Sequence, residues 1–189
     1  MKEILKRNDK KWLIAIVAML VIIAILSVLL VLESKDLFYR ASEETVTIIP
    51  PKRADSEVHT VGDYQYVLLE DGTVMITYYG AKNEENIVVP TTLDGKKVSA
   101  IGESAYALSV IYAKTVTVGE GITYIGKNCF FGAENAKLYL PSTLKQIENE
   151  ALVGFDNPSA VYFAGTRAQW DKVKIGTGNK ALSIVNCTG

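Results

Sequence analysis

The chain has 189 residues and a formal net charge of −1, from 20 basic and 21 acidic side chains. This length is enough for one modest folded domain and an additional segment. The balanced charge argues against nucleic acid as the main partner, because a nucleic-acid-binding surface carries an excess of Lys and Arg.

The N-terminal part is dominated by an apolar run. Trp12 to Leu32 are 21 consecutive residues without a charge, and a helix of this length spans about 30 Å, the thickness of a bilayer's hydrocarbon core. The run is longer than the apolar stretch of a cleavable signal peptide (roughly 7–15 residues) and lacks a small-x-small cleavage pattern. We therefore predict one retained transmembrane helix over residues 12–32.

The flanking charges orient this helix. Residues 1–11 contain five basic and two acidic side chains, and segments rich in Lys and Arg remain on the cytoplasmic side. The sequence predicts a cytoplasmic tail over 1–11, with everything after residue 32 outside the cell membrane. That outer part carries fifteen basic and nineteen acidic residues, a weakly acidic balance that disfavours nucleic acid or anionic lipid as its main partner.

A linker and a hairpin follow. Residues 33–60 show no sustained periodicity and contain Pro50-Pro51, so we predict a stalk. The folded domain is predicted over 61–189. It begins with two β-rich runs, Tyr64–Leu69 and Thr73–Tyr79, whose Asp-Gly linkage favours a hairpin. We expect this hairpin to cap the repeats behind it.

Three similar segments make up the centre of the domain. Each has a short strand of alternating apolar residues, a turn at Pro or Gly, a second short strand, and a small-large pair of residues that closes the coil. Their anchor isoleucines, 24 and then 22 residues apart, are Ile101, Ile125 and Ile147. A period in the twenties indicates a solenoid, in which one coil buries its apolar face only against the next.

Two features interrupt the repeat. The first copy has five extra residues that include Asp94-Gly95, which predicts a surface loop or small hairpin. After a partial fourth strand, Val161–Phe163, the repeat ends in residues 164–176, and we predict that Trp170 covers the last coil as a C-terminal cap. The fold prediction is thus a β-rich solenoid of about three coils between two caps.

Alternation along the first strands defines a candidate binding surface. We expect Val88, Thr117, Tyr139 and Tyr162 to point outward in one column, flanked by Lys137. Neighbouring tyrosines offer flat apolar area with a polar tip, as recognition surfaces do, although Tyr is also common on solvated strands. The binding hypothesis is placed on Tyr139, Tyr162, Thr117 and Lys137. The outward residues of the second strands, among them Ala100, Tyr124 and Gln146, are predicted to face solvent.

The sequence contains no pattern of catalytic, metal-binding or cofactor-binding residues. His59, within the predicted stalk, is the single histidine, and Glu84-Glu85 lie in a polar loop. We predict a protein that is not an enzyme and has no cofactor. An envelope hydrolase is kept as a remote alternative, because the separation of two carboxylates in space is not visible in a sequence.

The two cysteines are too few to build the fold. Cys129 occupies the repeat position held by Ala105 and Ala151, so we predict a small buried residue. A disulfide between Cys129 and Cys187 is left open.

The P-x-x-L-x-x-I segment, the closing turn of the I-G-x-x-A-F type and the terminal A-G-T-x-x-x-W resemble bacterial surface-antigen (BspA-type) leucine-rich repeats. The resemblance extends from about Gly62 to the C-terminus, with departures such as Gly119 at a turn that usually holds proline. It implies a stacked coil exposed at a cell surface, with a role in adhesion or protein binding and no catalytic residues.

Together these observations favour a membrane-anchored extracellular module that binds a protein or a glycan. The alternative is an accessory or scaffolding subunit that docks onto another envelope protein.

Overall fold

A computed structural model describes residues 46–155 and 161–189, and the account below is confined to them. The predicted cytoplasmic tail, the transmembrane helix and the first part of the stalk lie outside the described residues. Among the helices in the described ranges, none is both long and apolar enough to span a bilayer.

Two sheets run the length of the domain. The front sheet has five parallel strands, which in chain order are β4 (Asn86–Val89), β7 (Thr115–Val118), β9 (Lys137–Leu140), β11 (Val161–Phe163) and β13 (Asn186–Cys187). They are neighbours in the same order, from β4 at one edge to β13 at the other. The back sheet is ordered from β1 (His59–Val61) through β2 (Tyr64–Leu68), β3 (Val74–Tyr79), β6 (Lys96–Ile101), β8 (Tyr124–Ile125) and β10 (Gln146–Ile147) to β12 (Lys174–Ile175). The described helical segments are α1 (Arg167–Trp170) and a 3-10 helix (Lys180–Ser183).

The chain alternates between the two sheets and so forms a β-solenoid of about five turns, one for each front strand. The expectation of about three coils was too low. Strand β3 of the hairpin pairs in parallel with β6, and β12 and β13 extend the two sheets at the other end. The repeat pattern in the sequence does not reveal these outer turns. A strand can pair with the edge of a sheet through its backbone without carrying the residues that define the repeat.

The predicted inward columns are confirmed. In the front sheet the apolar residues stand in register from coil to coil, each fully buried, and they are Ile87, Val116, Leu138 and Val161. In the back sheet the anchors Ile101, Ile125 and Ile147 are likewise aligned and buried. Full burial of one such side chain contributes about 1.5–3 kcal/mol, so the two columns supply much of the stabilisation.

An aromatic ladder crosses the coils inside the core. The rings of Tyr64, Tyr79, Tyr106 and Phe130 follow one another with centroid separations of 4.8, 4.9 and 5.6 Å. It joins the N-terminal hairpin to the first two repeats.

The predicted hairpins are both present. Strands β2 and β3 are antiparallel and, with β1, extend the back sheet beyond the first front strand. Their inner side chains, such as the buried Tyr66, join the main core and so close its N-terminal end. The extra residues of the first repeat form β5 (Thr92–Leu93), which turns through Asp94-Gly95 and pairs antiparallel with β6.

The C-terminal segment packs as expected at Trp170. Helix α1 begins with a capping box between Thr166 and Gln169, which satisfies backbone groups at the start of the helix. It directs Trp170 into the core, where its ring lies 5.1 Å from that of Phe163 and is only 5% exposed.

The part of the predicted stalk that is described lies on the domain. Residues 46–54, the cover segment, cross the outer face of the back sheet. The Ile49 N–H donates to Gln146 Oε1 (3.0 Å), and Gln146 Nε2 donates to the Ile49 carbonyl (3.3 Å). Further on, the Glu70 N–H donates to the Lys52 carbonyl and the Ala54 N–H to the Leu68 carbonyl. Strand β1 then incorporates His59 and Thr60, so the predicted stalk over 33–60 ends too late.

This arrangement corrects the expectation of a solvent-facing back sheet. Ala100 and Tyr124 are 0% and 4% exposed, and with Val67, Leu69 and Met75 they form a second apolar cluster that packs against Ile48. Burial, followed by a hydrogen bond to Glu148, raises the pKa of the Tyr124 hydroxyl well above its ordinary value. The outer face of the back sheet is therefore a small core of its own.

A buried asparagine connects the last turns. Asn179 Oδ1 accepts the Leu152 N–H (3.1 Å), while its Nδ2 donates to the carbonyls of Glu148 (2.8 Å) and Gly176 (2.9 Å). The side chain is 9% exposed. It satisfies backbone groups that the solenoid geometry leaves unpaired where the chain turns.

We expect Asn179→Ala to lower the free energy of unfolding by about 2–3 kcal/mol, because it strands buried donors and acceptors. Denaturant unfolding followed by Trp170 fluorescence measures this. Asn149→Ala is the matched control, since the exposed Asn149 also accepts a backbone N–H, from Thr177 at 2.8 Å, where water can replace it. Equal losses in the two variants would contradict the role given to Asn179.

Both cysteines are free thiols. Burial raises the pKa of Cys129 well above its ordinary value, whereas Cys187 is half-buried in the terminal strand. We expect a thiol reagent to modify only Cys187 in the folded protein and both residues after unfolding, because the reactive thiolate must form and be reached. Two unreactive residues in unfolded, non-reduced protein would indicate a disulfide instead.

Candidate functional site

The predicted outward column of the front sheet is present. Val88, Thr117, Tyr139 and Tyr162 occupy aligned register positions on four neighbouring strands. The Tyr139 and Tyr162 rings stack with centroids 5.0 Å apart and planes inclined by 15°. Tyr139 is 37% exposed and Tyr162 is half-buried. The two rings thus form a stacked aromatic pair on the outer side of the sheet, which we call the aromatic platform.

Polar side chains flank this platform. Lys137 lies two residues before Tyr139 on the same strand, is exposed, and forms no ion pair with any residue in the described ranges. In its row, Thr115 Oγ1 donates to Asn86 Oδ1 at 2.8 Å. Thr117 is half-buried at the centre of the outward column. An exposed aromatic pair with hydroxyl and ammonium groups nearby suits apolar contact with a ligand, combined with hydrogen bonds to its polar groups.

The front sheet is also the more accessible of the two. The cover segment occupies the outer face of the back sheet, whereas Asn86, Val88, Lys137 and Tyr139 on the front sheet all remain exposed. The structure therefore places the four predicted residues on one accessible face.

A second exposed region was not predicted. Five large apolar side chains lie in or beside the closing turns of the first two repeats, and we call them the turn patch: Tyr78, Leu108, Ile111, Tyr112 and Phe131, exposed by 43–64%. A groove of about 300 Å³ lies among Tyr78, Leu108 and Tyr112 and is also lined by Lys82 and Asn83. The Leu108 N–H donates to the Phe131 carbonyl at 3.2 Å, which joins the two coils.

Leu108 has an unusual backbone conformation. Its φ is +66°, and the equivalent positions of the next two coils are Gly132 (φ +96°) and Gly154 (φ +91°). A left-handed conformation costs a non-glycine residue about 1–2 kcal/mol, and Leu108 is 63% exposed, so burial offsets little of this cost. The sequence signal was the run A105-Y-A-L-S-V-I-Y112, which is more apolar than a solvated turn requires.

The residues considered for chemistry are dispersed. Glu84 accepts a hydrogen bond from the Tyr79 hydroxyl (2.7 Å), Glu85 pairs with Lys114 (2.8 Å), and His59 stacks on Tyr66. Within residues 46–155 and 161–189, no group of three or more His, Cys, Asp or Glu side chains is arranged to hold a metal ion. The described surface that is organised for contact is aromatic and apolar.

Comparison with known proteins supports the fold. No family model and no curated protein matches the chain. A leucine-rich repeat protein from Bacteroides capillosus is similar in structure, with 22% identity, a TM-score of 0.52, and coverage of 71% of this chain and 100% of that one. A leucine-rich repeat protein of T. pallidum is less similar to this chain, with 21% identity, a TM-score of 0.46, and coverage of 58% of this chain and 54% of that one. A leucine-rich cell surface protein from Faecalibacterium prausnitzii gives 23% identity and a TM-score of 0.39, over 70% of this chain and 32% of that one. The described domain has a leucine-rich-repeat fold.

We expect Leu108→Gly to raise the free energy of unfolding by about 0.5–1 kcal/mol, because relief of the left-handed strain exceeds the entropy that glycine adds to the unfolded chain. Denaturant unfolding measures it. The reverse exchange at the equivalent site, Gly132→Leu, should be destabilising, since φ is +96° there and an added Cβ would lie 3.2 Å from Ile111. A destabilised Leu108→Gly variant would show that Leu108 supports the fold.

Proposed function

We propose that this protein is a membrane-anchored extracellular leucine-rich-repeat module that binds a protein or a glycan with the outer face of its front sheet. The stacked pair Tyr139–Tyr162 carries the proposal, because it lies on the sheet face that no described segment covers. The aromatic platform provides apolar contact area for the ligand, and the neighbouring polar groups orient the ligand through hydrogen bonds.

The platform is suited to a ligand because little of it is needed for folding. The inward neighbours Leu138, Leu140, Val161 and Phe163 are buried and hold the strands together, while the two tyrosines contribute mainly their mutual stacking. An aromatic pair adds about 0.5–1.5 kcal/mol beyond its buried area. Tyrosine also loses little side-chain entropy on contact, which favours its use in recognition.

The anchoring part of the proposal rests on the sequence. The uncharged run 12–32 is long enough to cross a bilayer, and the basic residues of segment 1–11 favour a cytoplasmic N-terminus. The domain is then displayed outside the cell, in the setting that the surface-antigen resemblance implies.

Photo-crosslinking on intact cells tests the binding face. The full chain carries benzoylphenylalanine in place of Tyr139, and the matched control carries it in place of Lys145, which is exposed and directly precedes the back-sheet strand β10. We expect adducts with external material at position 139, a loss of these adducts when Tyr162→Ala is added, and none at position 145. The Tyr162→Ala change should lower the free energy of unfolding by only about 1 kcal/mol.

Two results would contradict the proposal. Equal adducts at positions 139 and 145 would show mere proximity. Adducts confined to one protein of the same envelope, retained when the outside medium is replaced, would identify an accessory subunit.

A further inference from the structure

The turn patch leaves five large apolar side chains in water, and Leu108 among them adopts a strained backbone that the described residues do not compensate by burial. Exposed apolar patches on soluble domains mark sites of contact with proteins or membranes. Strain at an exposed residue likewise points to an interaction outside the domain. We therefore expect the turn patch to be covered by another molecule.

The composition of the groove favours a lipid interface. Its described lining contains no carboxylate, and its one charged residue is Lys82, which is exposed and forms no ion pair in the described part of the chain. Tyr78 and Tyr112 add rings with a polar tip. Tyrosines concentrate where a bilayer meets water, and a lysine can hold its apolar stem there while the ammonium group reaches lipid phosphates.

The length of the connecting chain puts such an interface within reach. Thirteen residues, 33–45, separate the predicted span from the first described residue, Val46. Fully extended, they reach at most about 45 Å, which is comparable to the width of a domain of this size. A short tether raises the effective concentration of the second contact to about the millimolar range, so a contact that is weak by itself becomes occupied.

We propose that the turn patch rests in the outer leaflet of the membrane that anchors the chain, with Tyr78, Leu108 and Tyr112 between the lipid headgroups and Lys82 at the phosphates. This inference rests on the anchor in the proposed function. Because residues 33–189 carry a net charge of −4, anionic lipid gives no advantage, and apolar insertion into a zwitterionic bilayer drives the contact.

The test uses the full chain with Cys187→Ser, reconstituted in phosphatidylcholine nanodiscs, with a fluorescent thiol label at Tyr112→Cys. Val88→Cys is the matched control, because Val88 and Tyr112 are both 64% exposed. Cys129 is fully buried and remains unlabelled. We expect lipids with brominated acyl chains to quench the label at position 112 several-fold more than the label at position 88. Leu108→Asp should reduce the difference.

Three results overturn the inference or its basis. Equal quenching at the two positions would show that the turn patch does not lie in the bilayer. If position 112 is shielded from aqueous iodide without lipid quenching, and the shielding depends on protein concentration, the turn patch contacts a second copy of the chain and not the bilayer. Failure of the unlabelled full chain to float with vesicles in alkaline carbonate disproves the anchor itself, and with it that part of the proposed function, whereas flotation with equal quenching disproves only the patch contact.

Discussion

The in-register stacking of aliphatic columns is the constraint on which the rest of the structure depends. A single coil is too small to bury Ile101 or Val116, and only the next coil at the same register removes them from water. This requirement fixes the outer surface as well. Because Leu138 pairs with Val161, the residues that follow them, Tyr139 and Tyr162, must also be neighbours, and their stacked rings are a direct consequence of packing on the opposite face.

The two ends of a stack have no further coil, and here they are closed in different ways. At the N-terminal end, the antiparallel hairpin turns its inner residues, such as Tyr66, into the core. At the C-terminal end, helix α1 places Trp170 against Phe163, and Asn179 binds the backbone of the last turns. The solenoid thus combines apolar closure at one end with mixed apolar and polar closure at the other.

Local periodicity predicted the repeat core and the aromatic platform, because alternation along a strand determines which side chains face inward. It did not predict the burial of Tyr124, since that depends on Ile48, which is far away in the chain and lies in a segment without periodicity. It underestimated the number of turns, because β12 and β13 pair with the sheets and pack on the core without repeating the residue pattern of the central coils. It did not predict the turn patch: the apolar run 105–112 is visible in the sequence, but the strain at Leu108 depends on a φ angle that a sequence does not display.

The cover segment also decides how the domain bears mechanical load. A pull on the chain at Val46 acts first on the amide pair between Ile49 and Gln146, and then on the backbone hydrogen bonds at Lys52 and Ala54. These few contacts lie outside the aliphatic columns, so they can break one after another while the stacked coils stay intact. We therefore expect tension from the N-terminal side to detach this segment first, and so to separate Ile48 from the cluster that contains Tyr124 and Ala100, before the main core is disturbed.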